Sequence, residues 1–309
     1  MCAQNQVARK LRREADGPLQ AVLGLFSGRA PLEELTALSA EFYDPPENMF
    51  YKYALGELSP YGYEAAGLVR SLAKEKALVP ASYAQDSAAE FKAYTGRLNS
   101  INKKFLEQWD AGARWPSCGV SGDTQAHSLV RVPPLVARYA GAAPLRDAVS
   151  DAVRVHQADT APADFAVALA AILERIVLGA TLSDALKWAA FDKSNPLYDD
   201  QRKMAQDALA ELDADPRDVV MRYGISCALP GPFTGPLAIV FAAGGDFTAA
   251  VRANIIAGGD NCSRAAVVGA LCGAAGGMAA LPPAWRAKVN GWQEYEAAAD
   301  AIVSAAGYV

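Results

Sequence analysis

Small residues recur three and four apart over one stretch near the C-terminus, and this pattern constrains the fold more than any other feature. Ala266, Gly269, Ala270, Gly273, Ala274 and Gly277 make one face of a helix nearly flat, so that another helix can approach it closely. Gly258-Gly259 precedes them and permits positive φ, hence a sharp turn out of the helix before. Asp260, Asn261 and Ser263 follow at the start of the new helix, where side-chain oxygens can cap free N–H groups.

The rest of the chain has the same helical character. Ala is abundant, and Val, Ile and Thr do not come in alternating runs, which favours helices over sheets. Helices are predicted at 1–27 and 31–42, at 61–75, as one or two segments over 82–110, and through Leu129. They continue from Pro133-Pro134 to Tyr139, then at 143–155, 162–178, 182–190 and 199–213. The last four are 235–243, 246–257, 263 to about 275, and 290–306. The stretches 115–124 and 224–234 read as loops. Pro and Gly clusters separate helices rather than domains, and no repeat of 20–50 residues occurs, so 1–309 reads as one all-α domain.

Composition excludes several function classes. A net charge of −5 gives no basic footprint for nucleic acid or a membrane surface. The basic cluster Arg9 to Arg13 is followed by Glu14 and Asp16 and reads as a solvated face, not a targeting segment. No apolar run approaches the ~20 residues of a membrane span. Cys2, Cys118, Cys227, Cys262 and Cys272 are odd in number and scattered, which fits a reducing, cytoplasmic setting. Only two His are present and no ligand pair has zinc spacing.

Two readings of the turn stay open from the residues alone. One is a tightly packed helix with an ordinary capped start. The other is a helix N-terminus facing a cavity, where Asp260, Asn261, Cys262 and Ser263 could bind an anion through N–H groups or a cation through Asp260.

The segment from Ile256 through Ala274, with Gly258-Gly259-Asp260-Asn261-Cys262-Ser263 at its head, strongly resembles the C-terminal signature of the ADP-ribosylglycohydrolase superfamily. It is most similar to the branch that holds the J1 crystallins of jellyfish lenses and the related selenoprotein J. Four further segments resemble that branch in the same order: Phe42 to Pro45, Leu58 to Glu64, Arg131 to Leu135, and Val153 to Gln157. The resemblance implies an all-α, orthogonal helical bundle. For catalytic members it implies two magnesium ions, held by an early Thr-Asp-Asp motif and a late Asp-x-Asp-Thr turn, that activate water and polarise the ribose hydroxyls.

This chain departs from that pattern at the ligands. Pro60-Tyr61-Gly62 stands where the early motif would be. Cys262 replaces the second Asp of the turn, and a thiol is a poor magnesium ligand. Ser27-Gly28-Arg29-Ala30 stands where relatives carry an Asp-Ala pair. Magnesium is therefore the ion that the resemblance implies, with most of its ligands missing and Asp260 the one metal candidate.

Other residues could take over. Asp123 could pair with Asp260 for general acid–base work, or cap the helix ahead of Ala126. Cys262 could be an activated thiol at a helix N-terminus, or a small space-filler. His156 could be a base or a structural hydrogen-bonder; His127 has no match in the family and carries less weight. Tyr61 and Tyr43 could line a pocket, and Arg131 could meet a phosphate or a structural carboxylate. Gly259, Asn261 and Ser263 complete the ligand-facing set. Two functions follow as expectations. One is a divergent hydrolase acting on a small glycosidic or nucleotide-like ligand without the standard dinuclear site. The other is a non-catalytic, crystallin-like structural or binding protein. Oligomeric state is left open.

Overall fold

The computed structural model describes residues 53–307. The helices expected at 1–27 and 31–42, the basic cluster, Cys2, Ser27 to Ala30 and Phe42 to Pro45 lie outside the described residues.

Among the described residues every regular element is helical, and the only other pairings are two isolated bridges. Helix α1 (Pro60–Glu75) starts where sequence places it, because Ser59 Oγ accepts from the Gly62 N–H and Pro60 needs no donor at the first position. The polar stretch over 82–110 is two helices, α2 (Pro80–Ala93) and α3 (Ser100–Asp110). A one-turn helix α4 (His127–Val130) leads into α5 (Val132–Tyr139). Pro133 and Pro134 fall in the first turn of α5, where missing N–H groups cost nothing.

Helices α6 (Leu145–Arg154), α7 (Thr160–Val177), α8 (Leu182–Phe191) and α9 (Asp199–Leu209) follow closely the predicted order. The segment after 213, left unassigned by periodicity, forms α10 (Pro216–Tyr223), with Asp215 capping the Arg217 N–H and Pro216 next in line. Helix α11 (Gly231–Ala242) begins four residues earlier than expected, inside the turn-rich stretch. Helix α12 (Phe247–Ala257) is capped by Asp246, as its sequence predicts. Then come α13 (Asn261–Gly276), the short α14 (Pro283–Arg286) and α15 (Trp292–Ala306).

Helices α7 and α11 lie at the centre. In α11 every residue from Gly231 to Val240 is buried, as a helix apolar on all sides requires. Helix α13 packs against α11, α12 and α7 and also meets α4 and α1. Its small residues behave less simply than expected: nothing among the described residues comes within 4 Å of a Cβ built at Gly269 or Gly273. Close approach in the described core is made by the other faces of α13, through Val267, Val268 and Leu271. No described helix is long and apolar enough to cross a membrane.

Val120 pairs with Gln157 and Gln125 with Ala228, so three loops meet beside the start of α13. Ala126 N–H donates to the Cys227 carbonyl at 2.9 Å, and Asp260 N–H to the Ile225 carbonyl at 2.8 Å.

Candidate functional site

The Gly258–Asp260 turn is held from below. Gly259 has φ +63°, and a Cβ there would lie 2.4 Å from the Ile225 carbonyl oxygen, so only glycine lets the two loops touch. Arg264 is fully buried under the turn. Its Nε donates to Asn254 Oδ1 at 3.0 Å and its Nη2 to the Gly258 carbonyl; Asn254 Nδ2 reaches the Asn261 carbonyl at 2.9 Å. Burial lowers the Arg264 guanidinium to about 10, against the pull of Asp260. Arg264 is the single charge between Asn261 and Gly276, and that isolation is the one signal of it in the sequence.

Asp260 occupies the N-cap position of α13, but its side chain caps no N–H. Instead Oδ2 accepts from the Tyr61 hydroxyl at 3.0 Å, across the gap between α1 and α13. Tyr61 is 5% exposed, and burial first, then the charge of Asp260, pushes its phenol far above its usual range. Ser263, expected to offer its hydroxyl, is buried and donates to the Asp260 carbonyl at 3.3 Å. Asn261 and Cys262 are buried as well, and Cys262 packs with Tyr61 and Val130 in a small apolar cluster. Of the six turn residues 258–263, only Gly258, Gly259 and Asp260 reach the surface.

A second thiol, absent from the expected set, lies at the site. Cys227 is half-buried, and its Sγ donates to Gln125 Oε1 at 3.1 Å. Burial raises its pKa, with Asp260 and Asp123 adding to the effect. No spacing in 224–234 marks Cys227; only the folding of that loop against Ala126 and Asp260 brings it in.

Asp123 is not a helix cap. Its Oδ1 accepts from the Gln125 N–H at 3.0 Å and from Gln157 Nε2 at 3.2 Å, and its Oδ2 from Gln125 Nε2 at 3.0 Å. Asp123 and Asp260 both oppose ionisation of Cys227, but Asp123 is buried among amides.

Arg131 and His127 belong to a different cluster, fully buried around Glu64. Glu64 accepts from His127 Nδ1 at 2.8 Å, Asn102 Nδ2 at 2.7 Å and Arg131 Nη2 at 3.0 Å. Burial pushes its carboxyl up, but His127 and Arg131 outweigh this and hold it below its ordinary value. Arg131 therefore answers a protein carboxylate, one of the two partners its sequence left open. His156 is fully buried among Phe105, Tyr83 and Phe91, with ring centroids 4.7, 5.3 and 5.6 Å away. Neither of its ring nitrogens has a hydrogen-bond partner, and burial holds its pKa well below 6.5.

The donor set does not suit the two magnesium ions that the fold family implies. Such ions need several oxygens each, mostly anionic. At this site Asp260 is bound to a hydroxyl, Cys262 is packed in an apolar cluster, and Glu64 is spent on His127, Asn102 and Arg131. Among the described residues no group of three or more His, Cys, Asp or Glu could hold a metal ion. What the arrangement offers is a partly exposed carboxylate on a rigid turn, flanked by a phenol, a thiol and a carboxamide.

The family model for ADP-ribosylglycohydrolase matches residues 13–308. Two relatives are crystallins of Tripedalia cystophora. Crystallin J1A is 28% identical over 266 residues, covering 81% of this chain and 80% of the relative. Crystallin J1B is 25% identical over 260 residues, covering 79% of each. A solved structure titled ADP-ribosylglycohydrolase-related protein complex superposes with a TM-score of 0.71 at 21% identity, over 99% of this chain and 96% of that one. That likeness is one of fold. With the helical architecture and the Gly258–Ser263 turn in place, this chain belongs to the ADP-ribosylglycohydrolase family.

Proposed function

We propose that this chain is a non-catalytic member of its family that binds a hydroxyl-rich small molecule, glycosidic or nucleotide-like, at Asp260. The observation that carries this reading is the state of Asp260: a partly exposed carboxylate with a hydroxyl donor on Oδ2, on a turn fixed by Gly259 and Arg264. A carboxylate held in this way accepts O–H donors from a ligand without needing to move. It has no free second carboxylate beside it among the described residues to run acid–base chemistry, since Asp123 is occupied by Gln125 and Gln157. The crystallin relatives are in keeping with a fold kept for reasons other than turnover.

A hydrolase reading has one observation in its favour. The charges of Asp123 and Asp260 both act on Cys227, and Cys227 is joined to Gln125, which also donates to Asp123, so a second carboxylate lies in the same hydrogen-bonded loop cluster.

One experiment separates the two. Isothermal titration of ADP-ribose into protein treated with chelator is expected to give heat, and Asp260→Asn to weaken binding at least about tenfold, the loss of one charged hydrogen bond. An assay on ADP-ribosylated substrates, with and without magnesium, is expected to give no turnover. Turnover that Asp260→Asn abolishes would establish the hydrolase; absence of heat in the wild type would sink the binding reading.

A further inference from the structure

Three observations meet at Tyr61. It lies on the first turn of α1, where the resemblance calls for carboxylates, and it is followed by Gly62. Its hydroxyl reaches across to α13 and donates to Asp260 at 3.0 Å. Its ring packs on Cys262, which fills the place of the turn's second Asp. The two changes at Tyr61 and Cys262 therefore share one small cluster, and each puts an uncharged side chain where the resemblance calls for an anionic ligand.

We propose that the Tyr61 hydroxyl stands in for a metal ion at Asp260, so that a fixed O–H donor, not a divalent cation, holds this carboxylate in place. Asp260 caps no N–H of its own helix, so the Tyr61 hydroxyl is the side-chain donor that fixes its carboxylate. The phenol supplies a positive hydrogen at the correct distance and stays protonated, since burial and the neighbouring charge both oppose its ionisation. Glu64, one turn further along α1, cannot substitute as a ligand, because three donors from other elements already hold it. The exchange is local, and the backbone to reverse it is still present. A Cβ at Gly62 would meet Leu58 Cβ at 3.4 Å, an ordinary contact in a normal helical conformation. The inference rests on Asp260 being the ligand-facing group, but it concerns what holds Asp260 and not what binds there.

The test uses Mn²⁺ alone, followed by electron paramagnetic resonance on the full chain, so that it is independent of ADP-ribose binding. Wild type and Asp260→Asn are expected to bind Mn²⁺ equally weakly. Tyr61→Asp with Gly62→Asp and Cys262→Asp is expected to bind at least tenfold more tightly and to gain a Mn²⁺-dependent rise in melting temperature. Tyr61→Phe, which keeps the ring and adds no buried charge, frees Asp260 of its donor and is expected to tighten Mn²⁺ binding about threefold. Wild-type binding tenfold tighter than Asp260→Asn would overturn the proposal, since the ion would then share Asp260 with the phenol. So would a folded triple variant with no gain; should that variant not fold, the lack of any gain in Tyr61→Phe decides against it.

Discussion

Helix α1 carries two polar residues one turn apart, and their fates differ. Glu64 faces inward and is saturated: His127, Asn102 and Arg131 surround a carboxylate on a side chain with no exposure. Tyr61 faces the start of α13, where its partner Asp260 stays partly exposed. The Glu64 end is closed and structural, because every donor on it comes from the protein. The Asp260 end keeps acceptor capacity for something else. The contrast shows why charge alone is a poor guide to function: the more highly charged cluster is the one no ligand can reach.

The sharpest way to break the comparison is at Glu64. Glu64→Gln removes the counter-charge of buried Arg131 and is expected to cost about 3–5 kcal/mol, the usual result of leaving one member of a buried ion pair alone. Urea denaturation measures it. A loss under about 1 kcal/mol, in the range of an exposed pair, would mean the network is not the closed unit described.

His156 sharpens the same contrast through pH. Its folded pKa is lowered, first by burial and then by Arg131 and His127 nearby. The unfolded chain therefore takes up a proton near pH ~6.5 that the folded chain refuses. Stability is then independent of this group above about pH 6.5 and falls by about 1.4 kcal/mol for each unit below it. Glu64 acts later: its lowered pKa gives stability above its ordinary value, lost only as the pH falls through the folded one. Urea midpoints between about pH 7 and 5 should fall for wild type and stay nearly flat for His156→Leu over the window that His156 controls. Parallel decline in both proteins would assign the acid sensitivity elsewhere.

Much of this fold is legible locally. Ser59-Pro60, Asp246 and the Gly258-Gly259 pair mark helix ends by chemistry that acts within a few residues. Asp215-Pro216 carries the same signal for α10, in a stretch where apolar periodicity is too weak to show it. The site is legible only in part. Asp260 and Tyr61 can be named from the family pattern, but their hydrogen bond joins residues 199 positions apart, and no periodicity specifies that pairing. Cys227 is invisible for the same reason, since two bridged loops bring it in. His127 has no family counterpart to mark it, yet it is one of three groups that hold Glu64.

The two thiols of the site give the finest version of the comparison. Cys262 has the position expected of a reactive cysteine, at the N-terminus of α13, yet it is 5% exposed and packed against Tyr61 and Val130. Cys227 is half-buried, but burial and the charges of Asp260 and Asp123 hold its proton on. Neither should react quickly with iodoacetamide in native protein at neutral pH, because the thiolate is the nucleophile. Cys227 should still outpace Cys262 as pH rises, and peptide mass spectrometry reads the two separately. Asp260→Asn removes a negative charge that opposes ionisation of Cys227, so its labelling should speed up several-fold while Cys262 stays protected by packing. Faster labelling of Cys262 than of Cys227 in the wild type would mean that the α13 N-terminus is open and activating after all, and the limit of the closed region would have to move to the far side of Tyr61.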